Sequence, residues 1–372
     1  MSQYREIPDN KISSSLDPAV PLTSGSFPSD DVRTKSAPSR VPSTLKEVYR
    51  LVEREMEEVT VLIGDALRDS DPTLDGILRY AERLGGKRLR PLLVLLSARA
   101  CGGIEREHLL IAAALEMIHT GTLIHDDILD GAKFRRHLET VNLRWNSQFA
   151  VLAGDILLTK AISLITECRD NETNRVISVA CQKTCEGEFL QSSTRGGFEM
   201  TIDLYRRIID GKTASLLEAA CQLGAFYHPD SSENAPLFAR FGNLLGMAFQ
   251  IFDDILDLVG VQSEMGKTLG TDLLNQKPTL PLLYYLRDGE EREKEKILTI
   301  LNHSPFTPED EETVRSLLRE KGSIDAARQK ASDLIDEGIE IIRDLPPTSD
   351  PDVIEARDAL EKVARFVVAR NL

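Results

Sequence analysis

Several features that mark common classes of protein are missing from this sequence. Its cysteines form no Cys-x-x-Cys pair and are odd in number, so neither a disulfide framework nor a zinc site is predicted, and a reducing compartment is favoured. Basic side chains are in the minority, 45 against 60 acidic ones, which gives a net charge of −15. That balance excludes a nucleic-acid or anionic-membrane binder as a description of the whole molecule. The five cysteines are Cys101, Cys168, Cys181, Cys185 and Cys221.

Targeting signals and long apolar runs are also scarce. The chain does not open on a basic segment followed by an apolar one, and its first residues are too acidic for a transit peptide. The most apolar stretch, Leu109 to Ile124, is interrupted by Glu116 and His119 and is too short to cross a bilayer. We therefore expect a cytoplasmic protein without a transmembrane segment.

Proline is unevenly distributed, and its distribution predicts the domain organisation. Residues 1–42 hold six of the 17 prolines and many serines, which is typical of a flexible tail. No proline lies between Pro91 and Pro229, and this stretch is rich in strong helix formers. A further helix is predicted from Ser323 to Arg343. Because no run alternates with the period of a strand, residues 43–372 are predicted to form one all-α domain, a large helical bundle.

One acidic pentapeptide occurs twice. Asp-Asp-Ile-Leu-Asp occupies residues 126–130 and 253–257, each time after an apolar helical run. On a helix the first and last aspartates of each copy share a face, and such clustered carboxylates require a compensating positive charge. Mg²⁺ suits them because it binds through one or two carboxylates and keeps sites for phosphate oxygens and water. A single copy could be a solvated acidic face, but two identical copies favour metal ions around a diphosphate.

Lysines and arginines beside glycine supply the charge that such a substrate needs. The segment Gly-Gly-Lys-Arg-Leu-Arg-Pro places Lys87 and Arg90 together after a glycine pair, which suits a phosphate anchor. Each cation alone is better explained as surface charge, but the set balances two diphosphates beside six carboxylates. Its other members are Arg135, Arg136, Lys212, Lys267 and Lys277.

The order of the motifs carries a family resemblance. Gly-Gly-Lys-Arg-Leu-Arg-Pro is followed by His-Thr-x-x-Leu-Ile-His-Asp-Asp-x-x-Asp and Arg-Arg, then by Gly-Glu-x-x-Gln, Gly-Lys-Thr-Ala, Gln-x-x-Asp-Asp-x-x-Asp and Lys-Pro-Thr-Leu-Pro. Over roughly residues 44–372 the chain resembles the trans-isoprenyl (polyprenyl) diphosphate synthases, in particular the long-chain octaprenyl and solanesyl diphosphate synthases. The resemblance implies the isoprenoid synthase fold, an all-α bundle with a central cavity, and a homodimer.

The resemblance also implies roles for individual residues. Isopentenyl diphosphate would be held by Lys87, Arg90, His119 and Arg136, although His119 has an alternative explanation as a core histidine on an apolar helix. The allylic diphosphate would contact Arg135, Lys212, Thr213, Gln250, Lys267 and Lys277. Mg²⁺, about three ions per active site, would bind Asp126, Asp127, Asp130, Asp253, Asp254 and Asp257. The catalytic residues would be Lys212 and all of these aspartates except Asp257.

The implied reaction joins two diphosphates in three steps. Metal ions and cations stabilise the departing diphosphate while the allylic C–O bond of a farnesyl or geranylgeranyl primer ionises. The C=C bond of isopentenyl diphosphate then attacks the carbocation, and a proton is lost. In this family the released diphosphate is the usual candidate base, so no protein base is assigned.

Product length is predicted from the helix that bears the first acidic segment. Gly121 and Thr122 lie roughly 6–8 Å below Asp126 at 1.5 Å per residue, where relatives resembling farnesyl synthases carry bulky aromatics. Ile118 and Leu115, roughly 12–17 Å below, are aliphatic. An open groove at these levels predicts a long-chain all-trans polyprenyl product of the kind that serves quinone side chains. Alternatively, Gly121 only permits close helix packing.

Three other functions stay open. The chain could make a shorter product, geranylgeranyl or farnesyl diphosphate, or it could be a non-catalytic subunit of a heteromeric synthase. It could also be a class I terpene cyclase. Non-catalytic subunits typically lose aspartates from one cluster, whereas both clusters are complete here, and cyclases need no second diphosphate site.

Overall fold

The computed structural model describes residues 43–194, 200–228, 231–259, 271–275, 277–303 and 305–369. The predicted tail, residues 1–42, and the predicted diphosphate ligand Lys267 lie outside the described residues. Within them the chain forms seventeen α-helices, one π-helical turn and one short β-hairpin. The predicted all-α class is therefore confirmed. None of the five cysteines, all of which lie in the described residues, forms a disulfide.

Eight of the helices come before residue 195. They are α1 (Ser43–Arg50), α2 (Glu53–Leu67), α3 (Pro72–Leu84), α4 (Leu89–Ala100), α5 (Arg106–Leu129), α6 (Val141–Arg144), α7 (Ser147–Ile165) and α8 (Glu172–Ser193). Between α5 and α6 a hairpin pairs the antiparallel strands β1 (Phe134–Arg135) and β2 (Leu138–Glu139).

The remaining helices form the second half of the bundle. They are α9 (Ile202–Ile209), α10 (Ser215–Phe226), α11 (Ser231–Val259), α12 (Thr271–Leu274), α13 (Leu280–Asp288), α14 (Glu291–Leu301), α15 (Pro308–Glu320), α16 (Ser323–Arg343) and α17 (Pro351–Val368). The π-helical turn, Asp210–Ala214, joins α9 to α10.

Local sequence determines where several helices begin. The Asp71 side chain accepts hydrogen bonds from two backbone N–H groups in the first turn of α3, and Pro72 takes its first position. Thr307 and Asp310 form a reciprocal capping box at the start of α15. The helix predicted from Ser323 to Arg343 is α16.

Two long helices deliver the acidic segments. Helix α5 packs against α2, α4, α7 and α10, and its middle turns are buried. Ala112, Ala113 and Ala114 are fully buried there, and these short side chains allow close packing of the neighbouring helices. Helix α11 packs against α10 and α16. Each of the two helices carries one Asp-Asp-Ile-Leu-Asp segment near its C-terminal end.

Helix α7 has two different faces. Among the described helices it is the one that is long and apolar enough to cross a membrane by length and composition, with a mean hydropathy of 1.6 and 33% of that window buried. The stretch expected to be most apolar, Leu109 to Ile124, instead lies in α5 in the core. Ala150, Ala153 and Leu157 of α7 are buried, and the helix packs against α5. Its exposed large apolar side chains are Val151, Leu152 and Ile162.

Candidate active site

One cavity of about 990 Å³ collects most of the predicted site residues. Both acidic segments reach it, from α5 and from α11. The predicted residues that line it are Lys87, Arg90, His119, Thr122, Asp126, Asp130, Arg135, Arg136, Lys212, Thr213, Gln250, Asp253, Asp254, Asp257 and Lys277. Cations and carboxylates separated by up to 190 positions in the sequence therefore share one space.

In the first acidic segment the outer aspartates face lysines from the second half of the chain. Asp126 Oδ2 lies 3.5 Å from Lys212 Nζ, and Lys277 Nζ donates to both carboxylate oxygens of Asp130 at 3.0 and 3.1 Å. Burial raises the pKa of the Asp126 carboxyl, while Lys212 opposes that shift. In this structure the two lysines therefore compensate the negative charge of Asp126 and Asp130, which a bound metal ion would otherwise neutralise.

The middle aspartate of the first segment is engaged differently. Asp127 is buried, and the Arg135 guanidinium donates to it through Nε at 3.0 Å to each oxygen and through Nη2 at 2.8 Å. This two-pronged ion pair uses up both carboxylate oxygens. Asp127 was predicted as a metal ligand and Arg135 as a diphosphate ligand, but in this structure they bind each other and brace the hairpin against α5.

The second acidic segment repeats this division. The buried Asp254 carboxylate accepts hydrogen bonds from Tyr205 Oη at 2.6 Å and from Gln250 Nε2 at 2.7 Å. Burial, followed by the charge of Asp272, raises the pKa of Asp254 well above its usual range. Asp257 lines the cavity and accepts the backbone N–H of Asp272 at 3.0 Å. In each copy the middle aspartate is buried and accepts hydrogen bonds from protein side chains, and both outer aspartates, together with Asp254, line the cavity.

The π-helical turn aims Lys212 and Thr213 into the cavity. A Cβ on Gly211 would lie 2.5 Å from the carbonyl oxygen of Lys183, and one on Gly187 would lie 2.5 Å from the backbone N of Lys212. Only glycines allow α8 and the turn to approach this closely. A π-helical insertion of this kind is frequent at functional sites, and here it brings two predicted diphosphate ligands beside Asp126.

Lys212 has two further partners that sequence reasoning assigned no role. Its Nζ forms a short ion pair with Glu188 and donates to Gln191 Oε1 at 2.9 Å. Burial disfavours the charged ammonium, but Asp126 and Glu188 outweigh it and raise the pKa of Lys212. The Gly-Glu-x-x-Gln motif was the available signal for these residues. For Tyr205 no sequence signal exists.

A chain of uncharged groups leads from the turn to the second segment. Thr213 Oγ1 donates to Gln250 Oε1 at 2.6 Å, and the amide of Gln250 in turn donates to Asp254. This chain fixes the amide orientation of Gln250 and links two predicted diphosphate ligands to a buried carboxylate.

The residues predicted for isopentenyl diphosphate form another part of the cavity lining. Arg136 and His137 form the two-residue turn of the hairpin with φ of 51° and 64°, the left-handed pair that a type I′ turn requires. Arg136 Nη1 donates to the carbonyl of Leu84 at 3.0 Å. Lys87 Nζ lies 5.5 Å from the centre of the Phe366 ring in α17. Two helices distant in sequence, α4 and α17, therefore border this part of the cavity.

His119 lines the cavity rather than the core. Burial, followed by the charges of Arg90, Arg135 and Arg136, lowers the pKa of its imidazole well below the usual value. At neutral pH it is therefore uncharged and can offer one N–H donor to a substrate oxygen.

The predicted groove residues do not all line the cavity. Thr122 does, but Gly121 is buried against α7, and a Cβ there would lie 3.1 Å from the carbonyl oxygen of Gly154. Ile118 and Leu115 are buried core residues and are not among the lining residues. The alternative explanation of Gly121, close helix packing, is the one that its surroundings support.

The chain matches known proteins over most of its length. Residues 71–320 match the family model for polyprenyl synthetases. Over 327 residues the chain is 33% identical to the octaprenyl diphosphate synthase of Escherichia coli, covering 88% of this chain and 99% of that protein. It is 35% identical over 302 residues to the geranylgeranyl diphosphate synthase of Methanosarcina mazei, with coverages of 79% and 88%.

Solved structures agree with these sequence matches. A polyprenyl synthase from Caulobacter crescentus, crystallised with calcium and isoprenyl diphosphate, matches with a TM-score of 0.80 and 32% identity over 88% of this chain and 98% of that one. Fold, family model and sequence identity point the same way. The chain belongs to the polyprenyl synthetase family and is a trans-isoprenyl diphosphate synthase, a prenyltransferase that joins isopentenyl diphosphate to an allylic diphosphate.

Proposed function

We propose that this synthase is Mg²⁺-dependent and extends a farnesyl or geranylgeranyl primer to a long-chain all-trans polyprenyl diphosphate. The observation that carries the proposal is the single cavity in which the outer aspartates of both acidic segments meet two lysines and a separate group of cations. Such a space fits two diphosphates, one bound through metal ions and one bound by cations alone.

The donor set fits Mg²⁺ when a substrate is present. Among the described side chains no three histidine, cysteine or acidic groups converge closely enough to hold a metal ion unaided. Mg²⁺ needs no such cage, because it binds through one or two carboxylates and takes its other oxygens from phosphate and water. We assign Asp126 and Asp130 to one side of the site and Asp253 and Asp257 to the other. Asp127 and Asp254 would orient the surrounding side chains.

The protein groups then act on the diphosphate that leaves. Bound Mg²⁺ supplies Lewis-acid stabilisation of the charge that develops on that group. Lys212 and Lys277, which pair with Asp126 and Asp130 in this structure, turn to diphosphate oxygens once those carboxylates are neutralised. Thr213 and Gln250 carry no charge and orient the substrate. The allylic C–O bond ionises as diphosphate departs, the C=C bond of isopentenyl diphosphate attacks the resulting carbocation, and the proton then lost goes to the released diphosphate.

The proposed product length depends on Thr122. Its short side chain lines the cavity one helical turn before Asp126, so an aromatic ring there would narrow the space available to the growing tail. The relatives do not decide the length, since they include octaprenyl and geranylgeranyl diphosphate synthases and a heptaprenyl diphosphate synthase component. A long-chain product would suit the supply of quinone side chains.

The test is chain extension by the purified protein alone. With farnesyl diphosphate, labelled isopentenyl diphosphate and Mg²⁺ we expect a long polyprenyl diphosphate, and none after chelation of the metal. Thr122→Phe should shorten the product series, whereas Thr299→Phe, on an exposed position of α14 outside the cavity, should not. Release of a cyclic hydrocarbon, or no reaction without an added subunit, would refute the proposal.

We also propose that the protein is a homodimer. Apolar side chains are exposed on both α7 and α8, two helices that pack against each other. Phe189 of α8 is 73% exposed, which is unusual for a phenylalanine on a monomer unless the surface binds a partner. The exposed large apolar residues of these helices are Val151, Leu152, Ile162, Val179 and Phe189.

A further inference from the structure

A buried carboxylate lies at the cation-rich end of the cavity without an evident partner. Glu116 of α5 is 5% exposed and lines the cavity together with Lys87, Arg90 and Arg136. Its Oε2 atom is buried and accepts no hydrogen bond from the part of the chain that the structure describes. The Nε atom of Arg90 is also buried and donates no hydrogen bond to these residues. Two complementary charged groups in one pocket thus each keep an unused hydrogen-bonding atom.

The glycine pair at the start of α4 brings this carboxylate close to the arginines. A Cβ on Gly85 would lie 3.8 Å from Glu116 Oε1, and one on Gly86 would lie 2.3 Å from Arg136 Nη2. The carboxylate and the guanidinium therefore lie against successive glycines of the same loop. Burial raises the pKa of the Glu116 carboxyl, and Arg90, Arg88 and Arg136 oppose that shift. Burial also lowers the pKa of Arg90 to about 10.

A buried carboxylate in a diphosphate pocket lowers both the stability of the folded protein and the affinity of the pocket for the anion. A buried ion with an unsatisfied oxygen loses solvation free energy that only neighbouring charges can offset. A negative charge below a diphosphate pocket also repels the ligand. Glu116 does have a favourable effect on the arginines. Burial lowers the pKa of both Arg90 and Arg136, Arg135 lowers that of Arg136 further, and the Glu116 charge opposes these shifts.

We propose that Glu116 is a positioning residue for the isopentenyl diphosphate end of the cavity, because its buried negative charge, acting across the pocket without a direct ion pair, keeps the guanidinium groups of Arg90 and Arg136 turned towards the diphosphate. This inference rests on the proposed function, which assigns those arginines to that substrate. Glu116 itself does not touch the reacting atoms. We therefore expect Glu116 to affect the binding of isopentenyl diphosphate and not that of the allylic diphosphate.

The test is Glu116→Gln, which keeps the shape of the side chain and removes its charge. We expect the KM for isopentenyl diphosphate to rise about tenfold or more, because the arginines lose their buried counter-charge. The KM for farnesyl diphosphate should stay unchanged, and the melting temperature should not fall. The matched control is Glu82→Gln. Glu82 pairs with Arg88 at 3.2 Å and does not line the large cavity, so its kinetics should match those of the wild type.

Other outcomes would overturn the inference. An unchanged or lower KM for isopentenyl diphosphate would show that the carboxylate only opposes anion binding. Equal changes in both KM values together with a lower melting temperature would show a general structural role. Failure of the wild-type protein to extend farnesyl diphosphate would instead refute the proposed function, so the two failures are distinguishable.

Discussion

Some residues of this site are small because a neighbouring side chain occupies the space that a larger side chain would need. Gly86 shows this most clearly, because the Arg136 guanidinium lies where its Cβ would be, at 2.3 Å from Nη2 and 2.8 Å from Nη1. Arg136 is itself in the left-handed region, at φ 51°, a conformation that costs a non-glycine residue roughly 1–2 kcal/mol. The neighbouring residues therefore hold Arg136 in a conformation that it would not adopt alone.

Gly86→Ala should displace the Arg136 side chain without unfolding the protein. The clash involves the flexible end of an arginine, so the free energy of unfolding should fall by only about 1 kcal/mol, the value of one lost hydrogen bond to the Leu84 carbonyl. The KM for isopentenyl diphosphate should rise severalfold while that for the allylic substrate stays constant. Steady-state kinetics with each substrate varied in turn measure this.

Gly64→Ala is the matched control. A Cβ at Gly64, in α2, would meet no atom within 4 Å, so the kinetics should not change. The protein should gain about 0.5–1 kcal/mol of stability, because alanine is the better helix former. If Gly86→Ala behaved in the same way, Arg136 would not be needed at its observed position.

At the scale of elements, helix termini determine much of the local order. Helix α5 begins with a capping box in which the backbone N–H of Glu105 donates to His108 Nδ1 at 2.8 Å. His108 is 2% exposed, and burial lowers the pKa of its imidazole to about 4. Nδ1 must stay unprotonated to accept this hydrogen bond, so the start of the central helix is sensitive to acid.

The stability of the protein should therefore fall between about pH 6.5 and pH 4. In this window the unfolded chain binds a proton at His108 and the folded chain does not, so acid favours unfolding. His108→Gln keeps an acceptor for the capping box and cannot titrate, and it should flatten this part of the profile. Urea unfolding at a series of pH values measures the slope, and identical slopes in the two proteins would contradict the assignment.

The π-helical turn is the element that local sequence predicts least. The turn Asp210–Ala214 continues directly from α9 into α10. It packs against α8, where Gly187 meets Gly211, and against α11, where Thr213 donates to Gln250. Yet it is this turn that presents Lys212 and Thr213 to the cavity. Helix propensity describes the chain on each side of it, whereas tertiary packing decides its geometry.

At the scale of the whole molecule, assembly should depend on the exposed apolar faces of α7 and α8. Phe189→Glu should shift the protein from dimer to monomer, because a buried unpaired charge would weaken the interface. Light scattering coupled to size-exclusion chromatography measures the mass. Val61→Glu, at a 60% exposed valine of α2, is the control and should leave the mass unchanged. A wild-type protein that is monomeric at micromolar concentration would refute the homodimer.

Much of the site could be predicted from residue types and their order. The two acidic repeats and the glycine pair before Lys87 lie at one cavity because each sits at or near an end of a helix in the same bundle, and the hairpin after α5 brings the paired arginines there. The helical period also predicts that the first and last aspartates of each segment share a face, and all four of these outer aspartates line the cavity. It could not tell which face of α5 meets α7, and so the orientation of Gly121 towards Gly154 was not predictable.

The sequence by itself determined the all-α class, the family and the chemical character of the site, because these depend on periodicity and on residue types at fixed spacings. Only the tertiary structure decided which carboxylates of the site are bound by other side chains of the protein. Asp127 is bound by Arg135, Asp254 by Tyr205 and Gln250, and Asp130 by Lys277, which is distant in sequence. These pairings depend on how the helices pack. The packing is stabilised by contacts between residues that are distant in sequence, and a local sequence pattern does not predict such contacts.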